Sequence, residues 1–255
     1  MVKIDLETQG GAAGGSDRSA ETRSRILDAA VQEFSANGLA GARMDQIAAV
    51  AGVNKALLYY HFASKDKLYG AALEMIATKT RDATMATFLR DASPGERVLR
   101  TALNHFDRIL AQTEFQSLMQ QEMMRLHKGE SGAMNVLITR VFSPMIAMYQ
   151  LMVREGIASG ELIEVDWLQI HLASLGTNVF YFMSSHLWSQ LLPYDPFAPE
   201  VLAERRRMVV KFLGLAIFRD RERGAELAEK ILADTQMPEI RVDRSPFGVR
   251  NERKK

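Results

Sequence analysis

Lys55, Tyr59, Tyr60 and His61 crowd into one short stretch, with Lys65 just beyond. These side chains suit holding a polyanion better than breaking a bond. A lysine donates to phosphate, while a tyrosine or histidine ring packs on a sugar and its polar tip reaches the backbone. Nucleic-acid contact is the chemistry they imply. The surrounding residues 44–62, MDQIAAVAGVNKALLYYHF, read as two short crossing helices, a helix-turn-helix. Ile47, Ala51, Val53 and Leu58 are its apolar positions, and Ala48 is small where the backbones approach. Gly52 supplies a turn at positive φ, and Asn54 caps the second helix. Lys65 opens the next helix behind a Ser64 cap. Free N–H groups there already favour an anion, so helix and lysine together form a phosphate clamp.

The flanks extend the pattern. Residues 22–69 run as a helix, a Gly-containing loop, the helix-turn-helix, and a Ser-Lys-Asp start to a long helix. The order is ILDAA followed by an aromatic and Gly, an IA..AGV turn, LYYHF, then SK. This stretch, about a fifth of the chain, resembles the TetR/AcrR family of one-component transcriptional regulators. The resemblance implies Lys55 and Ala56 at base edges, with Tyr59, His61 and Lys65 on the DNA backbone beside Tyr60. It places Arg43 and Met44 at the contact end of the preceding helix. The chain departs from the family where Ser or Thr often stands near Arg43 and Met44, and where Ala56-Leu57 replaces a frequent Gly-Thr. The family also implies a homodimer on a double-stranded operator and a small, largely apolar effector. Most of its members repress. In such a mechanism the effector favours a form in which the helix over 65–90 moves the heads off the operator spacing.

Composition agrees. The chain has 255 residues, 47% of them apolar, enough for a small domain and a larger one. With no Cys there is no disulfide, thiolate metal site or Cys nucleophile, which suits a reducing cytoplasm. Residues 1–20 lack the apolar segment of a signal peptide. A net charge of +1 means that DNA affinity must come from a local face and from dimer valency. Residues 19–67 hold six Lys/Arg against five Asp/Glu, so basicity does not mark this domain.

No stretch alternates as a strand does, and the expected fold is all-α: a three-helix DNA-binding domain over 19–67 and a larger helical effector-binding and dimerisation domain over 68–220. Residues 1–18, rich in Gly, Ala and Ser, read as a disordered tail. Ser19 is the expected cap of a helix whose stripe Ile26, Leu27, Ala30, Val31 and Phe34 ends at Asn37-Gly38. Ser93-Pro94-Gly95-Glu96 reads as a capping box opening a helix to about 113. Further helices are expected at about 115–127, 132–156, 166–190 and 199–220, with Pro144 kinking the second of these or splitting it. Residues 221–255 read as a partly disordered extension. Its end, 241–255, carries six Lys/Arg against Asp243 and Glu252 and reads as a solvated tail or an auxiliary phosphate contact.

Residues 167–194 contain no Asp, Glu, Lys or Arg. Their many Ser, Thr, Asn, Gln and His residues argue against a membrane span. The segment reads as a mostly buried helix with an apolar stripe (Leu168, Leu172, Leu175, Val179, Phe182, His186) beside a neutral polar one (His171, Ser174, Asn178, Tyr181, Ser185). Polar groups without charge suit a subunit interface or a ligand cavity. The expected dimer face is Leu172, Leu175 and Val179 with Met208, Phe212, Leu215 and Phe218, and Gly214 permits close approach. An isologous dimer puts two recognition helices about 34–36 Å apart and predicts a pseudo-palindromic operator. Candidate effector walls are Phe106, Met119, Met123, Met145, Met148, Asn178 and Phe182, although Met and aromatics at helical spacing are also ordinary core. An enzyme is the contrasting class. His105, Glu122 and His127 are candidates to approach one another, but HExxH, a paired carboxylate-His spacing and a Gly-rich phosphate loop are all missing, so no catalysis, metal or cofactor is expected. A DNA-binding regulator without an effector remains the other alternative.

Overall fold

The structure is a computed structural model, and it describes residues 13–130 and 132–241. Its helices are α1 Ala13–Gly41, α2 Met44–Ala51, α3 Lys55–His61, α4 Lys65–Phe88, α5 Pro94–Ala111, α6 Thr113–His127, α7 Gly132–Leu137, α8 Ser143–Ala158, α9 Trp167–His171, α10 Thr177–Met183, α11 Ser185–Leu191, α12 Pro199–Ile217 and α13 Arg221–Asp234. Among the described residues there is no strand, only an isolated antiparallel bridge between Leu162 and Phe218, so the fold is all-α. The chain divides into two units, one ending at Met75 and the other beginning at Ile76, with α4 running from the first into the second.

In the first unit the stripe on α1 is buried as its spacing requires: Ile26, Leu27, Ala30, Val31 and Phe34 all turn inward. Phe34 meets Tyr69 of α4 edge to face, with centroids 5.1 Å apart. The regular helix breaks at Gly38, whose φ of 68° only glycine adopts without strain. Its beginning differs from the expectation. α1 starts at Ala13, so Ser19 lies inside it and caps nothing, and residues 13–18 are helical. Once the inward stripe anchors a helix, each added residue costs only propagation and not a new nucleus. Residues 1–12 of the expected tail lie outside the described residues, as do 242–255 of the basic C-terminal segment.

In the second unit α5, α8, α12 and α13 enclose a core of Val98, Leu103, Phe106, Tyr149, Val153 and Leu213. Ser93 caps α5, its Oγ accepting from the Glu96 N–H at 3.2 Å. The return half of the capping box is taken up differently: Glu96 pairs with Arg100 at 2.7 Å, and the distant Glu161 accepts from Ser93 Oγ at 2.6 Å and from the Gly95 N–H at 2.8 Å. Pro144 shapes the helix over 132–158 through a π-helical turn at Ile138–Phe142, where the Ser143 N–H reaches back to Ile138 O. The N–H that Pro144 lacks would have served Arg140 O, and Arg81 of α4 serves it instead at 3.0 Å. This run, Gly132–Ala158, is long and apolar enough by composition to cross a membrane. Its Val141, Tyr149, Met152 and Val153 pack into the core.

Two expectations for this unit are corrected. Residues 221–234 are not part of a loose extension but form α13, capped by Asp220 Oδ1, which accepts from the N–H groups of Glu222 and Arg223 at 3.1 Å. Its buried face, Gly224, Ala228 and Ile231, is mostly small, so it leaves a faint apolar signature. Gly214, expected to admit a second protomer, instead admits α13. A Cβ there would collide with Gly224 O and lie 2.8 Å from the carbonyl carbon, so two glycines set this crossing.

Candidate nucleic-acid interface and helical core

The turn between α2 and α3 is built as the residue types require. Gly52 sits at φ 66°, ψ 37°, and Asn54 Oδ1 accepts from the Leu57 N–H at 2.7 Å. Leu58 alone is buried on α3, and Val53 is half-buried. Lys55, Ala56, Leu57, Tyr59 and Tyr60 are therefore presented outward, with Tyr60 at 82% exposure. His61 is half-buried and stacks edge to face on Tyr60 at 5.4 Å. Below them Phe62 turns into the core, and the Arg23 guanidinium lies over its ring at 5.1 Å.

Three cations flank this surface. Lys55 pairs with Asp45 of α2 at 2.8 Å, in the open. The hydrogen bond and charge of Asp45 raise the Lys55 pKa, and those of Lys55 lower the Asp45 pKa. Such an exposed pair is weakly held, so a DNA group can displace the carboxylate. Lys65 is half-buried at the start of α4, where Ser64 Oγ accepts from the Lys67 N–H at 3.2 Å. Its Nζ donates to Ala40 O at 3.0 Å, leaving two of three donors for a phosphate. Arg43 is exposed, and its backbone N–H donates to Glu33 Oε1 at 2.9 Å. Met44 is different: at 8% exposure it opens α2 facing inward and is buried as Ile47 and Ala48 are. An apolar side chain beside that core gains more from burial than a groove contact offers it. Asp45 was not singled out by sequence, because its pairing with Lys55 depends on how α2 and α3 cross.

In the second unit residues 167–194 depart from the expected single, mostly buried helix. The segment is not one helix: a π turn at Leu172–Gly176 joins α9 to α10, and Ser184 at φ −94°, ψ 7° separates α11. Ser174 and Asn178, from the polar stripe, are wholly buried, whereas Leu168, Leu172, Phe180, Met183, Leu187 and Leu191 are exposed. The placement of the Ser185 and His186 side chains lies outside what the structure describes. On α12, Met208, Phe212 and Leu215 are exposed as well, while Leu175 and Val179 are half-buried. Phe218 does not belong with them. At 2% exposure it follows the last residue of α12, turns inward beside Leu162, and would meet any Cβ placed on Gly95 or Gly224.

Of the candidate effector walls, Phe106 and Phe182 are fully buried with ring centroids 5.4 Å apart, and Asn178 is buried near them on α10. Met145 and Met148 pack against the same core. Met119 is half-buried on α6, and Met123, at 57% exposure, faces outward and lines no interior. The i, i+4 spacing of these methionines on α6 could not say which side of that helix faces in. Polar groups gather beside the aromatic pair. Asn178 Nδ2 donates to Ala102 O at 3.2 Å and faces His105 Nδ1 at 3.4 Å. Tyr149 Oη lies 3.3 Å from Ser174 Oγ, and its ring meets His171 at 4.8 Å. Desolvation, aided by Arg108 and His171, drives the His105 pKa down to about 3, and burial lowers that of His171. Both rings are neutral at physiological pH. His105, Glu122 and His127 do not come together: among the described residues no three His, Asp or Glu side chains gather as metal ligands.

Residues 26–72 match the family model described as bacterial regulatory proteins, tetR family, and residues 94–213 match that of the tetracyclin repressor-like C-terminal domain. Together the two matches span more than half the chain. The chain belongs to the TetR family. It is 28% identical over 176 residues to the HTH-type transcriptional repressor NicS of Pseudomonas putida, covering 68% of this chain and 82% of that one. The HTH-type transcriptional regulator RutR of Escherichia coli is 29% identical over 180 residues, 70% of this chain and 76% of its own. A putative transcriptional regulator from Saccharomonospora viridis, solved in complex with choline, superposes with a TM-score of 0.64 at 18% identity, covering 78% of this chain and 99% of that one. That likeness shows the shared fold. As a TetR-family helix-turn-helix regulator, this chain has its DNA-binding head in residues 26–72 and its family-typical helical domain in residues 94–213.

Proposed function

We propose that this TetR-family chain works in the cytoplasm as a homodimeric repressor of a pseudo-palindromic operator and is released from it by a small, largely apolar ligand. The observation that carries the reading is the solvent-facing row Lys55, Tyr59 and Tyr60, on a helix capped by Asn54 and anchored only through Leu58. Lys55 and Ala56 are assigned to base edges. Tyr59, Tyr60, His61, Lys65 and Arg43 are assigned to sugar and phosphate. Met44 is left out, because its side chain is spent on packing.

Two features of the second unit support the rest. The apolar side chains Leu172, Phe180, Met208, Phe212 and Leu215 stand exposed on a single protomer, as an isologous interface requires. The buried neutral polar groups beside Phe106 and Phe182 suit an enclosed ligand better than a wholly apolar core would. A regulator of this fold has been solved in complex with choline, which supports a small-molecule ligand for this chain.

The test is operator affinity by fluorescence polarisation across a salt series. Tyr59→Ala and Lys55→Ala should each weaken binding about 10-fold or more at unchanged helicity and dimerisation, and Lys55→Ala, if the side chain reaches a phosphate instead of a base, should lower the salt slope by about 1. Wild-type affinity in both variants would refute the assigned surface. Lys65→Ala is a poorer probe, since it also removes the bond to Ala40 O.

A further inference from the structure

The polar atoms at the centre of the second unit are not all matched. Asn178 is wholly buried, and although its Nδ2 is used, its Oδ1 has no partner. His171 Nδ1, on a ring packed against Tyr149, has none either. Leaving a buried acceptor unmade forfeits its hydration with no return, so native interiors rarely tolerate it. His105 adds the complementary group. Its Nδ1 faces the Asn178 N–H, so the neutral ring carries its proton on Nε2 and offers a donor. Burial drives the His105 pKa down to about 3, so the ring is neutral.

Charge narrows the class of occupant. Burial is the main cause that lowers both rings' pKa, and the Arg108 cation, one turn along α5, adds to it at His105. The neighbouring Asp107 is already committed to Arg206 through bonds of 2.7 and 2.8 Å. A cationic ligand there would meet repulsion from Arg108. A pure hydrocarbon would leave Asn178 Oδ1 and His171 Nδ1 orphaned.

We propose that the effector is an uncharged amphipathic molecule with a primary-amide head, an NH2 beside a C=O, which donates to Asn178 Oδ1 and His171 Nδ1 and accepts from His105 Nε2 while its apolar body lies along Phe106, Phe182 and Met148. This rests on the reading that a small molecule releases the operator. It makes Asn178 and His171 the residues that set ligand class.

The probes are hexanamide and benzamide, with methyl hexanoate and methyl benzoate as matched acceptor-only compounds and hexyltrimethylammonium and benzyltrimethylammonium as matched cations. Binding to the full-length protein is read from the imidazole NMR signals of His105 and His171 and from thermal stabilisation, and operator release from fluorescence polarisation. The amides should shift both imidazoles and bind about 10-fold tighter than the esters, with the cations weakest, and Asn178→Ser and His171→Phe should each erase about that advantage. His171→Phe preserves the ring contact with Tyr149, so it keeps the test valid if Asn178→Ser fails to fold. Equal binding of esters or cations, amide binding untouched by both variants, or no imidazole shift with any amide would overturn the proposal. Operator release by an ester while the amides leave the rings unmoved would overturn this inference and leave ligand control standing. Amides that bind at Asn178 while the operator stays bound would uphold the site and overturn release.

Discussion

Replacing Phe212 with Ala tests the dimer face, because the structure separates its role there from any role in the fold. Phe212 is 60% exposed on α12, between Met208 and Leu215, so the protomer gains little from it. A phenylalanine side chain offers about 200 Å² of surface, so about 120 Å² awaits a partner. At about 25 cal/mol/Å² this is worth about 3 kcal/mol, of which an alanine recovers about a third, leaving about 2 kcal/mol per copy. A two-fold interface counts the change twice, about 4 kcal/mol, so the dimer dissociation constant should rise by about three orders of magnitude. Sedimentation velocity from nanomolar to micromolar protein reads this directly, and circular dichroism should show unchanged helicity. Met124→Ala, at a residue equally exposed on α6, is the control and should leave the dimer intact. Wild-type dimerisation of the Phe212 variant, or equal weakening by the control, would refute the assigned face.

Other expectations follow from the core. Gly214→Ala places a Cβ against the Gly224 backbone, where neither helix has a flexible side chain to yield, and should cost about 2 kcal/mol or more in thermal unfolding. Gly70→Ala meets nothing within 4 Å and should be neutral or slightly stabilising, so equal melting temperatures for the two variants would discount the α12–α13 crossing. Stability should also fall in acid through His105. Its folded pKa of about 3 lies below the ordinary 6.5, so its contribution is complete above pH 6.5 and is lost as pH falls toward 3. Between pH 7 and pH 5 the loss is about 2 kcal/mol, with His171 adding in the same direction, and His105→Gln should flatten the slope in a denaturant series.

The head was legible in sequence because each of its residues has one local task. Gly52 takes a positive φ, Asn54 caps the helix that starts beside it, and Leu58 is the buried residue of a seven-residue helix, so neighbours in sequence largely decide all three. Met44 escaped because its choice between groove and core depends on the packing of α1 against α2. In the second unit, residues far apart decide most outcomes. Phe218 turns inward through its bridge to Leu162, and Gly214 is small for Gly224 and not for another protomer. Over 167–194 periodicity separated the two stripes, and the lack of charge said that the polar one avoids solvent, but it left open whether that stripe faces a partner or the interior. Ser174 and Asn178 face inward because Tyr149 and the Ala102 carbonyl meet them there.

The central claim is that two copies of α3, carried by one dimer, read two half-sites related by symmetry. The most direct measurement is sequencing of random DNA fragments retained by the purified protein at physiological salt, where non-specific phosphate binding is suppressed. The account predicts an enriched pseudo-palindrome whose half-site centres lie about one helical turn, or a multiple of it, apart, bound by a dimer. Enrichment of a single unpaired half-site, or of no sequence at all in the ligand-free protein, would contradict it.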